Sequence, residues 1–217
     1  MKIKWNGHAS FTITSSDGTV IVTDPYEPGC FEGGIAYEAV DDQADVVLVS
    51  HDHVDHNYTA SIKGAPEVLY GSGKAAGMDF TAVDTFHDES GGSERGKNTL
   101  FAFTVDGLRI GFMGDLGHLL DDEQLKKLGK IDILLAPIGG VFTINPDGAA
   151  KLVEQVKPRA VIPMHYKTDK CGFPIAEVDE FAKLLTNVKK TGKSELEIKN
   201  DDVPASGPEV WVLEHAK

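Results

Sequence analysis

A mixed α/β or α+β protein with a layered core is the fold class this sequence predicts, on three observations. Hairpin signals dominate the first half of the chain, and strands alternate with helical patterns in the second. The 217 residues are 41% apolar and 25% charged, which suits one soluble domain spanning 1–217 with a full core.

From the start of the chain, Trp5, Ala9, Phe11 and Ile13 alternate with Asn6, His8, Ser10 and Thr12. That period of two predicts one half-buried strand. Asp17-Gly18 then marks a hairpin turn into "TVIVTD" (19–24). Further strands are expected at 44–50, 67–71, 80–87, 98–105, 108–115, 131–137 and 159–165. Asp106-Gly107 supplies a second hairpin turn, between 98–105 and 108–115.

Three helices are signed. In "DDEQLKKLG" (121–129) acids precede lysines, as the helix dipole favours. In "NPDGAAKLVEQVKP", Asn145 is an N-cap, Pro146 an N1 residue and Pro158 a stop, with Leu152, Val153 and Val156 as the apolar stripe. In "PIAEVDEFAKLLTNV", Ile175, Val178, Phe181, Ala182 and Leu185 fall at helical spacing, predicting a long helix before Gly192.

The net charge is −13, and no run of Lys or Arg forms a stripe or tail. Such a field repels phosphates, so neither nucleic acid nor an anionic membrane is an expected partner. Cys30 and Cys171 do not make a disulfide framework, and the bland reading is two free thiols. The opening "MKIKWNGHASFTI" lacks an apolar stretch of signal-peptide length, so the expected location is cytoplasmic. The oligomeric state is not legible.

Chemistry concentrates in "SHDHVDHN" (50–57), which holds three of the eight histidines directly after an apolar strand. Shuffling at this composition yields His-x-His-x-Asp-His with a probability on the order of one in a thousand. Other apolar runs end at Asp24, His87, Asp115 and His165. If these strand ends share a sheet edge, the chain supplies His51, His53, Asp55, His56, His87, Asp115 and His165 to one rim, enough for two metal ions.

The order and spacing of Asp24, "HDHVDH", "FHDE", "GDLGH" and "PMHY" resemble the metallo-β-lactamase superfamily, over residues 24–165. The resemblance implies a four-layer αββα sandwich with the site at one sheet edge. It implies His51, His53 and His87 on a first metal, Asp55, His56 and His165 on a second, and Asp115 bridging both. Asp24 would hold a ligating imidazole in one tautomer. The tract "HDESGGSERGKNTLFAF…GDLGH" is similar to the branch of small cytoplasmic hydrolases that includes ascorbate-6-phosphate lactonase-like proteins. Asp115 stands where many true β-lactamases carry cysteine, which argues against antibiotic hydrolysis.

The expected activity is that of a metal-dependent hydrolase acting on a small ester, lactone or phosphorylated metabolite, an anionic one included. A hydroxide bridging two divalent cations would attack, with Asp55 orienting the water and passing on its proton. Imidazole with carboxylate suits zinc first and manganese next, with iron or nickel also possible. His8 and His118 are candidates for the site, against readings as a solvated and a turn-capping histidine. Arg95, Lys97, Tyr166 and Lys167 are candidates to meet substrate, and Asp52 and Asp88 to face solvent or support ligands. The alternatives are a nuclease or phosphodiesterase of the same superfamily, and a non-catalytic, metal-stabilised binding protein.

Overall fold

The computed structural model describes residues 1–217 and contains fourteen strands in two sheets. The smaller sheet sets β1 (Lys2–Gly7), β2 (Ser10–Thr14), β3 (Val20–Thr23), β4 (Val46–Leu48) and β5 (Glu67–Leu69) side by side. A short β13 (Glu195–Glu197) closes its edge beside β1. The larger sheet begins with β6 (Gly73–Ala75), β7 (Met78–Phe86), β8 (Lys97–Val105) and β9 (Leu108–Phe112) as an antiparallel meander. It continues in parallel through β10 (Ile133–Pro137), β11 (Ala160–Met164), β14 (Glu209–Val212) and β12 (Val188–Lys190).

The sheets face each other across one apolar cluster. Ile3, Phe11, Ile13, Ile21, Val46 and Leu48 from the smaller sheet share it with Phe101, Phe103, Ile110 and Phe112 from the larger. Strand alternation sends Val22, Val47 and Val49 to the opposite face of the smaller sheet. There irregular chain covers them, through Tyr26, Ile35, Tyr37, Val40, Ile62, Cys171 and Ile175. Helix Asp122–Leu128 packs on β7 and β8, capped by Asp121 and Gln124 in a reciprocal capping box. Helix Pro146–Val156 starts as expected, with the Asn145 side chain accepting from the Gly148 N–H, and packs against Val178–Ala182. No helix is long and apolar enough to cross a membrane.

Two expectations are corrected. The single strand over residues 5–13 is a hairpin: Gly7 (φ +119°) and His8 (φ +52°) reverse the chain. Trp5 then pairs with Phe11 and Ile3 with Ile13, so cross-strand partners share a face just as alternating residues would. The polar face is also buried, with Asn6 Nδ2 donating to Ser10 Oγ (3.2 Å) and Thr12 Oγ1 (2.9 Å). The second correction is the long helix, which shrinks to Val178–Ala182. Val188–Lys190 pairs with β14 instead, so tertiary pairing overrides helical spacing. Strands β6, β12, β13 and β14 are not among those read from the sequence.

Candidate metal centre

Strand direction puts the five ends at one edge of each sheet, and side-chain distances join the two edges in one rim. β3 and β4 run parallel, and so do β9, β10 and β11. β7 is antiparallel to β8 and β8 to β9, so β7 points the same way as β9. Asp24, His51, His87, Asp115 and His165 follow the ends of β3, β4, β7, β9 and β11. The rim residues are therefore drawn from both sheets, and the β1–β2 turn adds His8.

Asp115 is the hub. Its Oδ2 lies 3.1 Å from His56 Nε2, 3.2 Å from His165 Nε2 and 3.3 Å from His87 Nε2. Around it two imidazole sets form, His51/His53/His87 and His8/His56/His165, with donor atoms within 4.8 Å of one another in each set. Asp55 Oδ2 lies 3.0 Å from His8 Nε2 and 3.5 Å from His56 Nε2. All seven residues expected at the rim gather there. His8, buried at 1% exposure, joins them rather than facing solvent.

Below the rim, Asp24 fixes tautomers. Its Oδ2 accepts from His56 Nδ1 (2.8 Å) and from Ser50 Oγ (2.5 Å), while Oδ1 accepts the Ser50 N–H (2.8 Å). Having given its proton to Asp24, Ser50 Oγ accepts from His51 Nδ1 at 2.8 Å. With Nδ1 engaged below, both imidazoles turn Nε2 toward the rim. Asn98 Oδ1 accepts the Asp115 N–H at 2.9 Å and anchors the hub. Sequence reading passed over Ser50 and Asn98; a polar residue at the end of an apolar strand was the available signal for each.

Burial, with His56 next in weight, lowers His51 to about 2, and burial with His165 lowers His8 to about 4. His53 is also lowered, by burial and then His87. These imidazoles are neutral at pH 7, the form that binds a cation. Burial opposes charge on His56 and His87 too, but the carboxylate of Asp115 outweighs it and raises both. Burial would raise Asp115 and Asp55; the histidines around them outweigh it and hold both ionised.

The donor set fits a divalent metal. Of the six buried side-chain atoms without a hydrogen-bond partner, five belong here: His8 Nδ1, His51 Nε2, His87 Nδ1, Asp115 Oδ1 and His165 Nδ1. Orphaned polar atoms are costly in a protein interior, and a cation among them would satisfy part of this set. Backbone strain collects at the same place: His8, Asp24 and His165 all have positive φ, at +52°, +33° and +51°. Gly114 is required beside the hub, since a Cβ there would lie 2.5 Å from both Asn98 Oδ1 and Ser50 Cβ.

The remaining candidates divide. His118 caps rather than reaches the rim, its Nε2 accepting the Phe86 N–H at 3.1 Å. Tyr166 is buried and donates to the Leu213 carbonyl, and Lys167 donates to the Phe173 carbonyl, so both hold structure. Lys97 and Asp52 are exposed, while Asp88 is buried and accepts four backbone N–H groups from Ser90 to Arg95. Arg95 lines a cavity of about 480 Å³ above the rim, with His53, Asp55, His87, Asp115 and His165 in its floor.

Residues 2–165 match the beta-lactamase superfamily domain. A UPF0173 metal-dependent hydrolase of Thermococcus onnurineus is 33% identical over 215 residues, covering 85% of this chain and 92% of that one. One from Pyrococcus abyssi is 35% identical over 218 residues, with 88% and 94% covered. A crystal structure from Thermotoga maritima, described as a Zn-dependent hydrolase of the metallo-beta-lactamase superfamily, superimposes with a TM-score of 0.81. It is 35% identical and covers 99% of this chain and 98% of its own.

Proposed function

The chain belongs to the metallo-β-lactamase superfamily and is a metal-dependent hydrolase, and from that premise we propose a dinuclear site that cleaves a small ester, lactone or phosphorylated metabolite. The observation that carries this reading is the pair of imidazole triads sharing one carboxylate, Asp115. His51, His53 and His87 would hold one divalent cation, and His56 and His165 with Asp55 would hold the other; His8 stands beside the second set, and Asp115 contacts histidines of both. Zinc is the first choice, supported by the imidazole-rich donors and in keeping with the description given to the Thermotoga relative, and manganese the second. A soluble metabolite as substrate goes with a cytoplasmic location, and a lactone with the tract from His87 to His118.

Bound cations supply Lewis acidity and bring the pKa of water down to roughly 7. The protein supplies everything that positions this chemistry. Asp24, directly and through Ser50, keeps His56 and His51 in the tautomer that offers Nε2. Asp55 stays ionised because His56 and His8 outweigh its burial, so its carboxylate orients the attacking water and accepts its proton. The cavity above, about 480 Å³, is of a size to bring a small molecule to this floor.

Elemental analysis of protein purified without added metal tests the reading, followed by a panel of ester, lactone, phosphomonoester and phosphodiester with zinc or manganese. Two equivalents of metal and turnover of one class are expected. His53→Ala and Asp115→Ala should lose metal and turnover together. Undiminished turnover by His53→Ala after chelation would sink the dinuclear scheme.

A further inference from the structure

The cavity over the rim has a wall made mostly of carbon. Phe31, Val54, Phe142 and Phe173 stand around a floor of histidines and aspartates, and Arg95 is the cation in the lining. The three phenylalanines come from three separate segments between strands. Phe173 lies edge-on to both others, with ring centroids 5.6 Å from Phe31 and 5.3 Å from Phe142, and its ring is 6.2 Å from that of His8. Phe31 is 53% exposed and Val141, beside Phe142, 55% exposed. Large apolar groups clustered at the mouth of a cleft mark a ligand surface.

The backbone is strained to hold them there. Phe31 has φ +53° and Val141 φ +64°, a conformation a β-branched residue rarely adopts. The loop carrying Val141 and Phe142 is pinned at Gly139, where a Cβ would lie 2.2 Å from the His165 carbonyl oxygen. The aromatic wall is thus coupled to the residue that follows β11 at the rim. Arg95 is held by Phe142, its Cζ 5.8 Å from the ring centroid, within cation–π range. Its acidic neighbour is Glu94, 58% exposed and 3.3 Å away through one nitrogen, a weak competitor for an incoming carboxylate.

We propose that this cavity selects a substrate with a flat aromatic or unsaturated ring bearing a carboxylate: the ring packs among Phe31, Phe142 and Phe173, the carboxylate meets Arg95, and the scissile ester or lactone carbonyl faces the rim. The proposal rests on the hydrolase reading above and narrows it. A polyhydroxylated sugar phosphate would leave its hydroxyls unpaired against carbon in such a cavity.

Binding is tested apart from turnover with three methyl ketones titrated calorimetrically into the full-length, metal-loaded protein. These are 4-acetylbenzoate (ring and carboxylate), acetophenone (ring alone) and levulinate (carboxylate alone). 4-Acetylbenzoate is expected to bind tighter than either by about tenfold. Phe142→Ala and the bulk-preserving Phe173→Leu should shrink its advantage over levulinate, and Arg95→Gln its advantage over acetophenone, with melting temperatures unchanged as the folding control. Equal affinities for all three, or advantages that survive these substitutions, would overturn the subsite. Hydrolysis of 4-carboxyphenyl acetate is read separately: its absence alongside the expected binding order removes the activity and leaves the subsite standing.

Discussion

Asp24 is fully buried beneath the rim, and two imidazoles depend on it. One carboxylate oxygen takes the Nδ1 proton of His56 and the hydroxyl proton of Ser50, which in turn takes that of His51. Asp24→Asn keeps the volume but presents an amide where an acceptor is needed, so metal affinity should fall by about 10–100-fold. Competition against a chelating dye measures this, and an unchanged affinity would remove Asp24 from the tautomer relay. At this scale the sequence was most legible where residues cluster: His51, His53, Asp55 and His56 advertise themselves within six positions. His8 was harder, because a lone histidine in an alternating segment reads the same whether buried or solvated. The buried hairpin that decides the matter depends on a reversal at Gly7 that alternation conceals.

Between β7 and β8 the chain turns through residues 88–96, and Asp88 organises that turn. Burial would raise its carboxyl, but the backbone N–H groups of Arg95, Gly92, Glu94 and Ser90 outweigh burial and bring it down to about 2. A depressed folded-state value means the stabilisation is fully present above the ordinary value of 3.8 and is lost as pH falls toward about 2. Protection factors of the amides across 89–96, measured against intrinsic exchange at each pH, should therefore fall in that acid window, and Asp88→Asn should show the loosened loop already at pH 7. A loop equally protected in both proteins would refute the assignment. Elements with strong local signals, such as the Asn145-capped helix and the Asp17-Gly18 hairpin, were readable in advance. The segment 175–188 misled because its apolar residues serve different partners: Ile175 packs outside the smaller sheet, Phe181 in the main core, and Val188 in an edge strand.

At the level of the whole molecule, the sandwich itself was not written in composition or periodicity. Those gave mixed strands and helices; the resemblance carried by the rim motifs supplied two facing sheets. The irregular cover over Val22, Val47 and Val49 had no local signal at all, since it is assembled from stretches as far apart as Tyr26 and Ile175. Stability should follow metal content. At a free metal concentration a thousandfold above Kd, binding contributes about 4 kcal/mol, which for a chain of this size raises Tm by roughly 8–16 °C. Melting with and without chelator checks it, and coincident transitions would mean the cluster is preformed and indifferent to its cation.

Each imidazole triad takes members from both sides of the sandwich: His51 and His53 with His87, and His8 and His56 with His165. An ion seated in either triad is therefore a rivet through two plates. When it leaves, the plates gain freedom to hinge open along that margin, and amides at the ends of β4 and β11 should begin to exchange in step although no hydrogen bond joins those two strands.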